Sequence, residues 1–305
     1  MKLLLLTFLV LLVSSPVLTT PVHKRHRPQM DLSKVQIKST KIAGNVYMLE
    51  GAGGNIGVSV GEDGILIVDD QFAPLADKIR ASLKGLNQGK LRFILNSHWH
   101  FDHTGGNAVF GPEATIIAHD NVRKRMSTEQ RSEFFKSTTP ASPKQALPVI
   151  TFDQSLTVHF NGEEIRALHM PQGHTDGDSI IFFTKSNVVH LGDDFFSGSF
   201  PFVDLESGGS VEGLTKNIAE LITKIPADAK LIPGHGPLST IDDLKTYHRM
   251  LVETSKIVRD KIAAGKTLAQ IKSEGLPAEW NSWGQAFIKT DMWVELLHRS
   301  LTMKK

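Results

Sequence analysis

Three histidines and one aspartate fall within six consecutive positions, His98, His100, Asp102 and His103, in the stretch NSHWHFDHTGG (96–106). Imidazoles and carboxylates are the donors that borderline transition metals accept, so any fold for this chain must present the stretch where partners can reach it. His98 and His100 are two residues apart, and in an extended segment both point to the same side. Asp102 and His103 are adjacent, and in extended backbone they diverge. A loop of this pattern can serve two centres at once, with one pair on each.

Composition narrows what those centres are made of. The chain has 305 residues, 40% of them hydrophobic, enough for one large domain or two small ones. It contains no cysteine. Disulfides are therefore excluded, thiolates are removed from any metal site, and His, Asp and Glu remain as ligands. With 34 basic and 32 acidic side chains the formal charge is only +2, so there is no polyelectrolyte footprint and nucleic acid is not an expected partner. At the start, Lys2 precedes an apolar run from Leu3 to Val13 and then small and polar residues. The run is shorter than the roughly 20 residues that span a bilayer, and its order matches a secretory signal. The expected organisation is a signal peptide over 1–22, an N-terminal extension over 23–40 with the basic cluster HKRHR (23–27) as a solvated tail, and one domain over 41–305. The protein is then exported, periplasmic or secreted, with no stable membrane insertion after cleavage. An uncleaved anchor is the minority reading.

Patterning predicts strands over Gly44–Glu50, Ile56–Val60 and Ile65–Val68, separated by the turn-forming stretches GAGG and GEDG. A helix over Ala73–Leu86 leads to a buried strand over Leu91–Ser97 and then to the His-rich loop. Gly105 and Gly106 open a helical stretch, and ATIIAH reads as a strand. Residues 127–148, polar and with three prolines, read as a surface excursion. Strands resume at Leu156–Phe160, Glu164–Leu168, Ser179–Phe183 and Val188–Leu191, followed by a helix over Ser210–Ile225, a short strand KLIP, and helices from Ile241 onward. Strands and helices in two successive batches suggest two packed sheets with helices outside.

Three further segments carry matching residues at strand ends: PQGHTDGDS with His174, HLGDDFF with Asp193 and LIPGHGP with His235. The ordered set H-x-H-x-D-H, G-H-T, G-D and P-G-H-G resembles the metallo-β-lactamase superfamily, over essentially the whole chain after about residue 40. The resemblance implies an α/β fold, the αββα four-layer sandwich, with a dinuclear metal site at one edge of the paired sheets. It matches His98, His100 and His174 to the first metal, Asp102, His103 and His235 to the second, and Asp193 to the carboxylate that bridges them. Asp102 doubles as the catalytic residue that orients the attacking hydroxide. Two zinc ions sharing a hydroxide would cleave the carbonyl of a small-molecule substrate without a protein nucleophile; iron or manganese would also suit a bridging carboxylate.

Departures from the family's subtypes refine this. Lactamases with Cys on the second metal are excluded, and Asp193, where other lactamases have serine, leans toward hydrolases of lactones, esters or thioesters, with lactam cleavage still open. His100, in place of the Glu of flavodiiron relatives, favours hydrolysis over oxygen reduction. The rival class is a mononuclear iron oxidoreductase of the persulfide dioxygenase type.

Lesser candidates have blander readings beside them. Asp69 orients a metal-ligand histidine or, equally well, caps a turn with Asp70. His119 and His190 read as structural, and His159, His169, His248 and His298 have no spacing argument. Asp176 and Asp178 read as turn residues around Gly177. Phe195, Phe196, Phe200 and Phe202 wall an apolar pocket or, more simply, fill the core. Trp280, Trp283 and Trp293 read as packing residues. The export reading has a direct check. Mass spectrometry of protein recovered from the culture medium or periplasm should show a chain that begins near residue 23, whereas a chain retaining Met1 in the cytoplasm contradicts it.

Overall fold

The fourteen strands of the computed structural model, which describes residues 31–303, fall in chain order as β1 (Lys38–Ala43), β2 (Val46–Glu50), β3 (Ile56–Gly61), β4 (Gly64–Val68), β5 (Leu91–Leu95), β6 (Thr115–His119), β7 (Gln130–Ser132), β8 (Ser137–Thr139), β9 (Ile150–Phe152), β10 (Ser155–Phe160), β11 (Glu163–His169), β12 (Ser179–Phe183), β13 (Val188–His190) and β14 (Lys230–Ile232). The helices are α1 (Ala76–Leu86), α2 (Phe101–Thr104), α3 (Asn107–Phe110), α4 (Asp120–Met126), α5 (Val211–Lys224), α6 (Ile241–Ala263), α7 (Leu268–Glu274) and α8 (Thr290–Thr302). The expected signal peptide and basic cluster lie outside the described residues. No described helix is long and apolar enough to cross a membrane.

Seven strands form one sheet in the order β1-β2-β3-β4-β5-β6-β9, and five form the second in the order β10-β11-β12-β13-β14. β4, with every residue buried, sits in the interior of the first sheet and pairs parallel with β5, as a continuous apolar run predicts. β11 alternates buried and exposed residues at its start, the pattern of a strand with one face on the core. The antiparallel pairings of β1 to β4 and β10 to β13 give way to parallel pairing in β4-β5-β6-β9 and β13-β14.

Three apolar layers show how the sheets stack. Met48, Leu66, Val68 and Leu95 of the first sheet meet Ile165, Ile181, Phe183 and Ile232 of the second in the central layer. The other face of the first sheet packs Ile65 and Ile67 against Leu75, Ile79 and Leu83 around α1. The outer face of the second packs Ile180, Val189 and Leu231 against α5, α6 and α8. This is the expected αββα sandwich. Trp280, Trp283 and Trp293 belong to the last layer as packing residues. The helices begin as their sequences dictate: Ser210 Oγ accepts from the Gly213 amide at α5, and Thr240 and Asp243 form a reciprocal capping box at α6.

The structure departs from the patterning in several places. β1 was not expected, because its KSTKIA sequence is polar at its start and has no apolar alternation; it is a strand because β2 pairs with it. The predicted strand from Gly44 starts at Val46, since Gly44 is in the left-handed turn at φ +50°. Leu32, Val35 and Ile37 pack on the α1 layer, so the packed chain begins ahead of residue 41. The excursion over 127–148 contains a hairpin, β7–β8, and β9 follows it at the sheet edge.

Ile181, fully buried between the two sheets, gives a stability test. Ile181→Ala should lower the unfolding free energy by about 2–5 kcal/mol in a denaturant titration, whereas Ser39→Ala at an exposed position of β1 should stay within about 0.5 kcal/mol.

Candidate metal centre

β5 ends at Leu95, and the chain bends through Ser97, His98 and Trp99 to His100, whose own backbone is extended (φ −62°, ψ 145°), before α2 begins at Phe101. His100 therefore lies on extended backbone as expected, whereas His98 stands in the bend. Asp102 and His103 are not extended either: they stand on a helical turn, about 100° apart around its axis, and still reach the same group of donors. The chain brings all seven predicted residues together in two groups, one of His98, His100, His174 and Asp193 and one of Asp102, His103 and His235.

Asp193 lies between the groups, with a different oxygen toward each. Its Oδ2 is 3.8 Å from His98 Nε2 and 3.5 Å from His174 Nε2. Its Oδ1 is 3.1 Å from His103 Nε2 and 3.4 Å from His235 Nε2. Asp102 Oδ2 completes the second group at 3.3 Å from His235 Nε2, and His174 Nε2 is 2.8 Å from His100 Nδ1 in the first.

The opposite nitrogen of four imidazoles is fixed by a partner. Asp69 Oδ2 holds His103 Nδ1 at 2.8 Å, and the same carboxylate accepts from the Ser97 amide and hydroxyl. Ser97 Oγ in turn is 3.0 Å from His98 Nδ1. The Phe202 carbonyl holds His174 Nδ1 at 2.7 Å, and Asp204 Oδ2 holds His100 Nε2 at 3.0 Å. These contacts choose which nitrogen each ring turns toward the centre. Of the two readings for Asp69, orientation of the histidines is the one seen, and three hydrogen bonds hold it at φ +65°, an uncommon conformation for a non-glycine residue. Asp70 instead accepts from the Gly106 amide.

Two glycines make room. A Cβ on Gly54 would lie 2.1 Å from His103 Cε1, and one on Gly234 would lie 2.0 Å from Asp193 Oδ1. Gly54 reads from sequence as part of the turn-forming GAGG and Gly234 as part of the P-G-H-G motif, and what both supply here is clearance for a ligand side chain.

The electrostatics fit a bound cation. Burial pushes His98 well down and lowers His174 too, so both rings are neutral donors. Burial opposes ionisation of Asp193 and Asp102, but the surrounding imidazoles outweigh it, holding Asp193 well below the usual carboxylate range and Asp102 at about 2. Burial likewise opposes protonation of His103 and His235, yet the carboxylates prevail, with His235 pushed up to about 9. The second group thus attracts positive charge, which a divalent cation supplies as it displaces the imidazole protons. His98 Nε2 and Asp193 Oδ1 are buried without a hydrogen-bond partner, which suits atoms that serve as metal donors.

All four phenylalanines after Asp193 belong to the core cluster of the second sheet's outer face, and two of them also reach the donor groups. Phe196 stacks on His235 at 5.0 Å between ring centres, and the Phe202 ring lies 5.9 Å from both His100 and His174. His190 is structural, bonded to the Asn55 carbonyl, and His119 stacks on His169 at 3.7 Å. Asp178 caps the Thr175 amide, and Asp176 pairs with Arg125 at 2.7 Å. Sequence reasoning did not find Ser97 or Asp204, because neither has a spacing that ties it to the histidine it touches.

A buried His/Asp cluster at the edge of an αββα sandwich defines a class of metal-dependent hydrolases. Residues 40–267 match the metallo-β-lactamase superfamily, and the chain belongs to it. An uncharacterised protein of Aquifex aeolicus is 28% identical over 174 residues, 57% of this chain and 80% of that protein. A hydroxyacylglutathione hydrolase of Polaromonas is 28% identical over 145 residues, 47% of either chain. Among solved structures, a metallo-β-lactamase from Pontibacter korlensis superposes with a TM-score of 0.58 at 15% identity, covering 71% of this chain and 99% of that one. An inverting sec-alkylsulfatase from Pseudomonas gives 0.63 at 15% identity, covering 86% of this chain and 50% of that one.

If the Asp204 contact orients His100, Asp204→Ala should weaken metal binding about 10–100-fold in a competition titration with a chromogenic chelator. Unchanged affinity would remove Asp204 from the account.

Proposed function

We propose that the protein is an exported dinuclear zinc hydrolase that opens a carbonyl substrate, a β-lactam, a lactone or a related ester or amide. The observation that carries the reading is the placement of Asp193, one oxygen in each donor group. His98, His100 and His174 with Asp193 Oδ2 would hold one ion, and Asp102, His103 and His235 with Asp193 Oδ1 the other. When bound, such a pair supplies a water acidified toward neutral pH and a Lewis acid for the carbonyl oxygen. Zinc suits the imidazole-rich first group, while a bridging carboxylate also accepts iron or manganese.

The chain's own groups then divide the remaining work. Asp102, an ionised carboxylate at the partly exposed mouth of the site, is the residue assigned to orient the attacking water. Asp69, Ser97 and Asp204 keep the imidazoles aimed, which avoids reorganisation during the reaction. Phe196 and Phe202 shield two sides from bulk water. Similarity to proteins named hydroxyacylglutathione hydrolase supports hydrolysis. The rival single-iron oxidoreductase leaves Asp102, His103 and His235 without an ion although they form a second complete group.

Metal analysis of purified protein, followed by assay against a carbapenem, an acyl lactone and a thioester, tests the proposal. The expected result is about two ions per chain and turnover of at least one substrate, with Asp193→Ala losing both. One iron per chain with oxygen uptake, or full activity in Asp193→Ala, contradicts it.

A further inference from the structure

An aromatic path leads from the donor groups to the surface. Beyond Phe202, which lies against His100 and His174, the rings of Phe135 and Phe134 follow at 4.7 and 5.8 Å. Phe287 lies 5.5 Å beyond Phe135 and is 61% exposed. Phe134 and Phe135 occupy the turn of the β7–β8 hairpin, an otherwise polar segment. The turn is fastened in place. The Phe135 amide donates to Ser132 Oγ, and Ser132 Oγ donates to Glu206 Oε2 at 3.4 Å. Arg299 binds Glu206 Oε1 at 2.7 Å and lies over the Phe134 ring at 5.6 Å. A hairpin held at its tip with two adjacent aromatic rings on the rim of the site is a positioned wall.

We infer that the site takes an ester or lactone whose alkyl or acyl chain lies along Phe202, Phe135, Phe134 and Phe287. The inference rests on the hydrolase reading and narrows its substrate class. The reaction adds water across the acyl–oxygen bond. The water oxygen joins the carbonyl carbon and a proton goes to the departing oxygen, giving an acid and an alcohol, or one hydroxy acid from a lactone.

The test uses the metal-loaded full chain and γ-lactones with ethyl, butyl and hexyl side chains. In the wild type kcat/KM should rise about fourfold per added methylene, the ~0.8 kcal/mol of a buried CH2. The double variant Phe134→Ala/Phe135→Ala should keep its metal content and lose most of the chain-length gradient, while Phe134→Leu/Phe135→Leu, which retains apolar area, should recover it. If the alanine pair does not fold, Phe287→Ala at the exposed outer end should flatten the gradient for the hexyl compound alone. A gradient that survives these substitutions overturns the inference. Calorimetry with octanamide separates the two readings. Binding that the alanine pair abolishes, in a protein that hydrolyses nothing, upholds the wall and counts against the hydrolase. Absence of binding to the wild type overturns the wall itself.

Discussion

A carboxylate placed among four imidazoles and shut away from water is the condition around which the rest of the molecule is arranged. Asp193 is 5% exposed, and an ionised carboxylate so buried is strongly disfavoured unless positive charge or donors surround it. His98 and His174 meet one of its oxygens and His103 and His235 the other, so the same side chain ties the two donor groups into one centre. The partners behind the rings, Asp69, Ser97, Asp204 and the Phe202 carbonyl, leave each imidazole little freedom to turn away.

The sandwich supplies these groups by ending strands beside one another. β4 ends before Asp69, β5 before His98, β13 before Asp193 and β14 before His235, and within each sheet the two strands of the pair run parallel. Parallel neighbours deliver their carboxyl ends to one edge, where open α/β sheets gather functional residues. Close approach is then limited by backbone volume. Gly54 and Gly234 relieve it at two tight contacts, against His103 and Asp193.

Much of this was legible in the residues. The buried runs of β3, β4 and β12, the amphipathic α1 and α5, and the ordered motifs around His98, His174, Asp193 and His235 pointed to two sheets with a shared metal edge. What escaped was set by tertiary pairing. β1 is a strand because β2 holds it, and α2 converts an apparently extended Asp102–His103 pair into a helical turn. Asp204 is close to His100 only because the chain folds back over a separation of 104 positions. The aromatic residues after Asp193 share one composition, and only their placement separates Phe195 and Phe200 from Phe196 and Phe202 at the site.

If one carboxylate, Asp193, joins two metal positions, anomalous diffraction from crystals grown with zinc should reveal both. Two anomalous peaks about 3.5–4 Å apart are expected, each within bonding distance of a different Asp193 oxygen. A single peak, or two peaks with Asp193 turned away from either, would contradict a shared carboxylate.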